Sequence, residues 1–512
     1  MIRATSARGS RAAVASGHPL ATATAIGLLA DGATVADAAV AAALVLAVVM
    51  PHACGLGGDA FLLIHDAASE RTYGLNGTGC APLGATPDAF AGGIPRTGIR
   101  SATVPGLLAA LEEARARFGS RPLAALIAPA LAAARDGFEV NGVLAANIRN
   151  RAELLARDAA ASALFLPKGQ PLPKSATLRQ PELAATLAEI ARAGPEAFYV
   201  GRIARGLIEG IRAAGGLFAA DDLSEHRSLW QEPMRASFHG IEVVTQPPNS
   251  YGLTLLLQLI ELERAGVGSL NPAGAEPILA GLAARRRAYA LARPVIGDPA
   301  ALEAPARALL AQALAGAVLG PEAAAPAGGG CTTNFVAIDR AGNAVSLITS
   351  ISAPFGAGVV VPGTGIILNN RMGGFTLDAG SPNRVAPGKR PAHTLAPCLL
   401  FRDGAPWASL GTPGAAGQTA TLAQVLVRRL ALDQDWSAAI DAARWSVDLE
   451  GGFIVEDALA EPVLQALAAV EPGVAARASG FQTFGSIKAA WREADGVGAI
   501  ADGRRAAAAA AI

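Results

Sequence analysis

Apolar and polar positions follow two textures along this chain, and the change falls near residue 330. Ahead of it, apolar residues recur at helical spacing in alanine-rich blocks: "ATVADAAVAAALVLAVV" (33–49), "VPGLLAALEEARARFG" (104–119), "LAALIAPALAAARDGF" (123–138), "QPELAATLAEIARAG" (180–194), "GLTLLLQLIELERAG" (252–266) and "EPILAGLAARRRAYALA" (276–292). In the second block Pro105-Gly106 sits just ahead of the first turn, as a helix start requires. "AFLLIHDAASERTYGLNGTG" (60–79) alternates instead and predicts a hairpin, while "GIEVVTQPPN" (240–249) predicts a single strand. After residue 330 come short strands and glycine turns: "FVAIDRAGNAVSLITSI", "GVVVPGTGIILNN" and "CLLFRDGAPWASLGTPG". A helix, "TATLAQVLVRRLAL", comes next, and the closing "RRAAAAAAI" reads as a frayed low-complexity tail. Helices over a sheet, then sheet plus helices, predict a mixed α/β (α+β) chain whose two parts complete one sandwich. The boundary between them is the glycine run at 328–330.

Composition narrows the function classes. The chain has 512 residues, 52% of them hydrophobic and 16% charged, enough for a large core. The apolar residues do not gather into a membrane span. The nearest candidate, residues 33–50, barely reaches the span length of about 18 residues, contains Asp37 and lacks basic flanks, so a buried helix is expected. No secretory leader is read in "MIRATSARGSR" or in the "AAVASGHPLATATAIGLLADG" behind it, which breaks at His18-Pro19, and the expected location is the cytoplasm. Formal charge is zero, which excludes the basic footprint that nucleic acid or an anionic membrane needs. Four scattered cysteines (Cys54, Cys80, Cys331, Cys398) form no CxxC pair, so neither a zinc site nor a disulfide framework is expected.

Most familiar chemistries fail on spacing. "GTPGAAGQT" (411–419) is a poor phosphate loop, with Gln418 where a lysine would stand, and "GLGGD" (55–59) is not GxGxxG. There is no GxSxG elbow for an ordinary serine hydrolase. The six histidines form no HExxH or HxH pair, so no metal and no cofactor is expected. What remains is "GGGCTTNF" (328–335): a flexible run, then Cys331, Thr332 and Thr333, then a strand. One reading is a plain loop-to-strand junction. The other is a self-cleavage site. A threonine hydroxyl is a weak nucleophile, but an α-amine on the same residue, with a pKa of about 8, can take its proton. That amine exists only if the preceding peptide bond is cut.

The wider stretch "TTNFVAIDRAGNAVSLITSISAPFGAGVVVPGTGIILNN" resembles the start of the small subunit of the γ-glutamyltransferase family of N-terminal nucleophile hydrolases. The resemblance runs over nearly the whole chain, through "ASGHPLATATAIGLLADGATVADAAVAAALVLAVVMPHACGLGGDAF", "VPGLLAAL", "ARDGFEVN", "PPNSYGLTLLLQLIELE", "APGKRPAHTLAPCLLFRDG" and "FGSIKAAWRE", in family order. It implies a four-layer αββα sandwich built jointly by a large segment, 1–331, and a small segment, 332–512, which stay associated after cleavage. It implies Thr332 as nucleophile, exposed by a cut after Cys331, with Thr333 as the rival one place along. Ser350 falls where the family keeps a second hydroxyl near the nucleophile. In "GTPGAAG" the backbone N–H groups of Gly414 and Ala415 would form the oxyanion hole, each such donor being worth about 3 kcal/mol in the transition state. A homodimer of the processed unit is a further possibility left open.

Departures from the family pattern sit at its amino-acid clamp. The arginine and glutamate of "RExAP" become Thr78 and Gly79 in "GTGCAP". The acidic residues after "NN" become Arg371 and Gly374 in "NNRMGGF", following Asn370, and the paired serines of "KRPLSS" become His393 and Thr394. These features resemble the γ-glutamyltransferase-like branch that includes oxamate amidohydrolases. Arg371 in place of an acid favours a substrate bearing a carboxylate and no neighbouring ammonium. The alternative for Arg371 is a structural arginine that ties down a loop; His393 bonds substrate or packs beneath that loop. The expected activity is hydrolysis of a small carboxylate-bearing, oxamate-like amide through an acyl-enzyme, with Thr78, Asn370, Arg371, His393 and Thr394 at the substrate. The alternatives are a γ-glutamyl hydrolase or transpeptidase acting on glutathione-type amides, and an unprocessed, non-catalytic relative. Cys331 keeps the last alive, because the branch more often has aspartate there.

Overall fold

Residues 332–350, read as short strands around a glycine turn, form a hairpin at the centre of the molecule. A computed structural model describes residues 3–317, 320, 330–448, 450–480 and 482–512. Gly328 and Gly329 lie outside the described residues; Gly330 is within them. In chain order the main strands are β1 Thr5–Gly9, β2 Ala12–Ser16, β3 Asp59–Asp66, β4 Arg71–Gly77, β5 Leu229–Gln231, β6 Met234–Phe238 and β7 Ile241–Thr245. Beyond the junction come β8 Thr332–Asp339, β9 Ala344–Ser350, β10 Cys398–Arg402, β11 Ala405–Gly411, β12 Lys488–Glu493, β13 Gly496–Ala501 and β14 Ala508–Ala511.

They build two seven-stranded antiparallel sheets, ordered β1-β13-β12-β11-β10-β7-β6 and β14-β2-β8-β9-β3-β4-β5. Each sheet takes strands from both sides of the junction. The period of two along β8 assigns its faces. Val336 and Ile338 pack between the sheets with Ala13, Leu399 and Ala499. Phe335 and Ala337 face outward, into the layer that holds helix Val35–Val49. On the far side, helix Gly252–Arg264 packs with Val243, Leu400 and Ile500 of the other sheet. The order is therefore helices, sheet, sheet, helices, the expected αββα sandwich. Fully buried Phe335, Leu347 and Ile348 each contribute about 2 kcal/mol from apolar surface removed from water.

Every residue of helix Val35–Val49 is buried. Its one acid, Asp37, works at the N-terminus: it accepts from the Thr34 N–H in a capping box and from Ser120 Oγ at 2.8 Å. An apolar stretch that resembles a span is thus a core helix pinned at one end. Among the described residues, no helix is long and apolar enough to cross a membrane.

One expectation fails. The alanine-rich end is not frayed: Ala508–Ala511 pairs with β2, Ala13 opposite Ala511, and the Ile512 carbonyl accepts from Arg11 N–H at 2.6 Å. Alanine is a poor strand former by itself. Here small side chains fit against Ala13 and Ala15, and the otherwise open edge of β2 supplies the hydrogen bonds.

Candidate active site

The sheet register sets Thr332 directly opposite Ser350, and Ser350 opposite Asp59 on β3. Three neighbouring strands therefore deliver a hydroxyl, a hydroxyl and a carboxylate side by side. Thr332, two positions before Asn334 and four before Val336, takes the inter-sheet face and is 2% exposed. Its Oγ1 donates to Ser350 Oγ at 3.1 Å. Thr333 takes the opposite face by the same alternation. Its Oγ1 is buried without a hydrogen-bond partner. It lies so close to Gly17 that a Cβ there would come within 2.0 Å. The two threonines that the sequence left as rivals are thus on different sides of the sheet, and Thr332 is the one beside Ser350.

Ser350 is the crossing point of the site. Its Oγ accepts from Thr332 Oγ1, from Ser352 N–H at 2.9 Å and from Arg371 Nη2 at 3.3 Å. It donates to the carbonyl oxygen of Cys331 at 2.8 Å, which is the carbonyl of the peptide bond ahead of Thr332. Cys331 N–H in turn donates to Ser352 O at 2.5 Å. Burial pushes the Cys331 thiol up to about 11, so it stays a neutral, unreactive group.

Behind Ser350 stands Asp59, a residue that sequence reasoning did not single out. Asp59 is fully buried and accepts from Arg371 Nε at 3.3 Å and from His393 Nε2 at 3.1 Å on one oxygen, and from Gly79 N–H at 2.9 Å on the other. Burial alone would raise its pKa. The His393 hydrogen bond, the Arg371 charge and the Gly79 amide outweigh that and hold the carboxyl below its usual range. Burial lowers His393 to about 4, helped by the Arg371 charge, so its ring is neutral at pH 7. With Nε2–H donating to Asp59, Nδ1 is left to accept from Leu395 N–H at 3.3 Å. Both ring nitrogens are then occupied, and His393 holds Asp59 from beneath. A sequence signal for Asp59 existed: it is the lone acid at the head of the otherwise apolar "DAFLLI".

The other predicted residues divide. Arg371 enters the site; its side chain keeps 6% exposure where Asp59 and His393 keep none. Asn370 is spent on structure, donating to Arg96 O at 2.7 Å and accepting from Ala353 N–H at 2.9 Å. Thr78 is fully buried, its Oγ1 accepting from Asn249 Nδ2 at 3.3 Å. At Gly79 a Cβ would sit 1.5 Å from the carbonyl oxygen of Val104, so no side chain fits where the family carries glutamate. Thr394 is half-buried one place beyond His393. Asn334, also missed, shares the Thr332 face; its buried amide has no partner and lies against Gly411.

The glycine loop reaches the junction from the other sheet. A Cβ on Gly330 would come within 2.9 Å of Ala415 Cβ, which places the loop against the residues leading into Thr332. Gly414 has φ of 134° and Ala415 has φ of 51°. The resemblance puts alanine at 415 in a glycine loop, a minor change only if φ stays in the ordinary range; φ is left-handed here, which costs an alanine about 1 kcal/mol. Thr412 Oγ1 fixes the loop by donating to Pro413 O at 2.8 Å and accepting from Ser486 N–H at 3.0 Å. Among the described residues, no group of three or more His, Cys, Asp or Glu is placed to hold a metal ion.

An inner strand of an αββα sandwich that opens on a threonine, with a hydroxyl partner and a strained glycine loop against it, is the arrangement of the N-terminal nucleophile hydrolases. Within that class the chain belongs to the gamma-glutamyltranspeptidase family, whose model matches residues 21–512. It is 32% identical over 493 residues to a glutathione hydrolase proenzyme of Bacillus subtilis (strain 168), covering 89% of this chain and 84% of that protein. It is 35% identical over 489 residues to the acylase ACY 1 proenzyme of Pseudomonas sp. (strain V22), covering 90% and 87%. Among solved structures it is similar to cephalosporin acylase from Bacillus halodurans, with a TM-score of 0.90, 30% identity and coverage of 99% of this chain and 97% of that one.

Proposed function

We propose that this chain is a self-cleaving amidohydrolase of the gamma-glutamyltranspeptidase family, with Thr332 as its nucleophile. Cleavage after Cys331 frees the Thr332 amine, which then serves as the base for its own hydroxyl. Attack on a substrate amide gives an acyl-enzyme at Thr332 Oγ1 and releases the amine; water then releases the acid. Backbone N–H groups of Gly414 and Ala415 stabilise the oxyanion. The names of the relatives, a hydrolase and an acylase both described as proenzymes, support the cut and the reaction type.

For the substrate we infer a small amide carrying a carboxylate next to the scissile bond, as in oxamate. One observation carries this: Arg371, a cation that keeps some exposure, is hydrogen-bonded to the same serine that holds Thr332. A carboxylate one bond from the attacked carbonyl is within reach of that guanidinium. Gly79 supports the same reading from the other side, since the amino-acid clamp has no room for its glutamate. The likeness to a glutathione hydrolase favours a second reading, turnover of γ-glutamyl amides. Ammonia release from oxamate, compared with aniline release from a γ-glutamyl anilide, separates them. Oxamate turnover that exceeds the anilide supports the first reading; the reverse order overturns it.

A further inference from the structure

The uncut chain shows what surrounds its own scissile peptide, and Arg371, already assigned to the substrate, stands in that set as well. Thr332 and Cys331 are 2% and 4% exposed, so before cleavage the hydroxyl faces its own chain rather than a substrate. Ser350 Oγ takes three donors: Thr332 Oγ1, Ser352 N–H and Arg371 Nη2. Its own proton is directed at the Cys331 carbonyl oxygen. We infer that Arg371 is a positioning residue for self-cleavage, acting through Ser350, before it ever meets a substrate. This rests on the functional reading above.

Thr332 Oγ1 bonds to the Cys331 carbonyl carbon and passes its proton to Ser350 Oγ, while the Ser350 proton moves to the carbonyl oxygen. The tetrahedral centre then collapses: the C–N bond breaks, and the hydroxyl proton returns through Ser350 to the Thr332 nitrogen. An ester joins Cys331 to Thr332 Oγ1, and one water hydrolyses it to a Cys331 carboxylate and the Thr332 hydroxyl, leaving Thr332 with a free amine at the start of the second chain. In both transfers the proton that Ser350 gives up leads the one it takes, so Ser350 Oγ carries partial negative charge on the way. A fixed cation one hydrogen bond away stabilises that charge without moving. Arg371 is fixed at two points, Nε on Asp59 Oδ2 at 3.3 Å and its backbone N–H on Asn369 Oδ1 at 2.9 Å. Asp59 is fixed in turn by Gly79 and His393. The Asp59–Arg371 pair therefore serves two reactions at one place, first the chain's own amide and then a substrate's.

The test measures conversion of freshly synthesised full-length chain into two fragments by denaturing electrophoresis. Compared are wild type, Arg371→Lys, Arg371→Met, Arg371→Ala and Arg371→Met/Asp59→Asn, with folding checked by thermal melting. The double variant removes both charges and leaves no uncompensated buried carboxylate. The expected result is cleavage at least tenfold slower in Arg371→Met and in the double variant, with Arg371→Lys between them and wild type. Added methylguanidinium should speed cleavage of Arg371→Ala and leave Thr332→Ala uncut. A folded double variant that converts within twofold of wild type overturns the inference. So does an Arg371→Ala chain that methylguanidinium leaves unchanged. Wild type that stays whole overturns the functional reading itself, which keeps the two failures apart.

Discussion

Thr332 and Ser350 face each other across two hydrogen-bonded strands, with their hydroxyl oxygens 3.1 Å apart and the serine proton on the carbonyl of the bond ahead of the threonine. Neither residue can slip without moving the whole hairpin, because a one-residue shift in register would turn every side chain to the other face. Ser350→Ala should therefore leave the fold intact and slow conversion of the full-length chain by about 10²-fold, the usual cost of one oxyanion-type donor. Ser350→Thr, which keeps the hydroxyl, should restore most of the rate.

The two adjacent threonines should behave oppositely. Thr332→Ala should give one full-length chain and no amide hydrolysis. Thr333→Val should cleave normally and should not lose stability, because the Thr333 hydroxyl is buried with no hydrogen-bond partner. Removing such a group gains up to about 1 kcal/mol. Urea unfolding of the Val variant, run on the Thr332→Ala background so that the chain stays whole, measures this.

Gly79 bears on specificity. Restoring the family's clamp by Thr78→Arg/Gly79→Glu should not confer γ-glutamyl turnover. Any Cβ at 79 runs into the Val104 carbonyl, and the Gly79 amide is already committed to Asp59. Backbone displacement there should cost about 3 kcal/mol or more. A drop in the unfolding midpoint, without new anilide hydrolysis, is the expected pair of results.

Acid should destabilise the fold earlier than carboxylates alone would. Burial lowers His393 to about 4, and lowers His52 and His226 to about 3, against an ordinary value of 6.5. The unfolded chain binds these protons first, so stability falls as pH drops from about 6.5 toward 4. Each such histidine contributes a slope of about 1.4 kcal/mol per pH unit. Asp59, held below its usual range, adds its loss only at still lower pH. Unfolding midpoints between pH 4.5 and 7.5 should fall with acid, and His393→Gln should flatten the slope by about one proton.

How much of this was legible in the sequence depends on the range of the interactions. The β8–β9 hairpin, helix Val35–Val49 and the strand at 241–245 were readable because periodicity and turn residues are local. Thr332 and Ser350 were readable from family resemblance, and the strand period then separates Thr332 from Thr333. Asp59 was not, since its partners come from positions 79, 371 and 393 and meet only in the folded chain. The role of His393 depended on the same meeting. The final alanines look like a tail because nothing in their composition records that β2 leaves an edge to be filled. The strain at Ala415 was invisible for a related reason: sequence gives the residue, not its φ.

The proposed chemistry stands or falls with one bond: the peptide between Cys331 and Thr332 is cut, and Thr332 becomes a chain terminus. Intact mass measurement with N-terminal sequencing of active enzyme tests this. Two chains are expected, one ending at Cys331 and one beginning Thr-Thr-Asn-Phe. A preparation that hydrolyses its amide as a single uncut chain, or whose second fragment begins at Thr333, would contradict it.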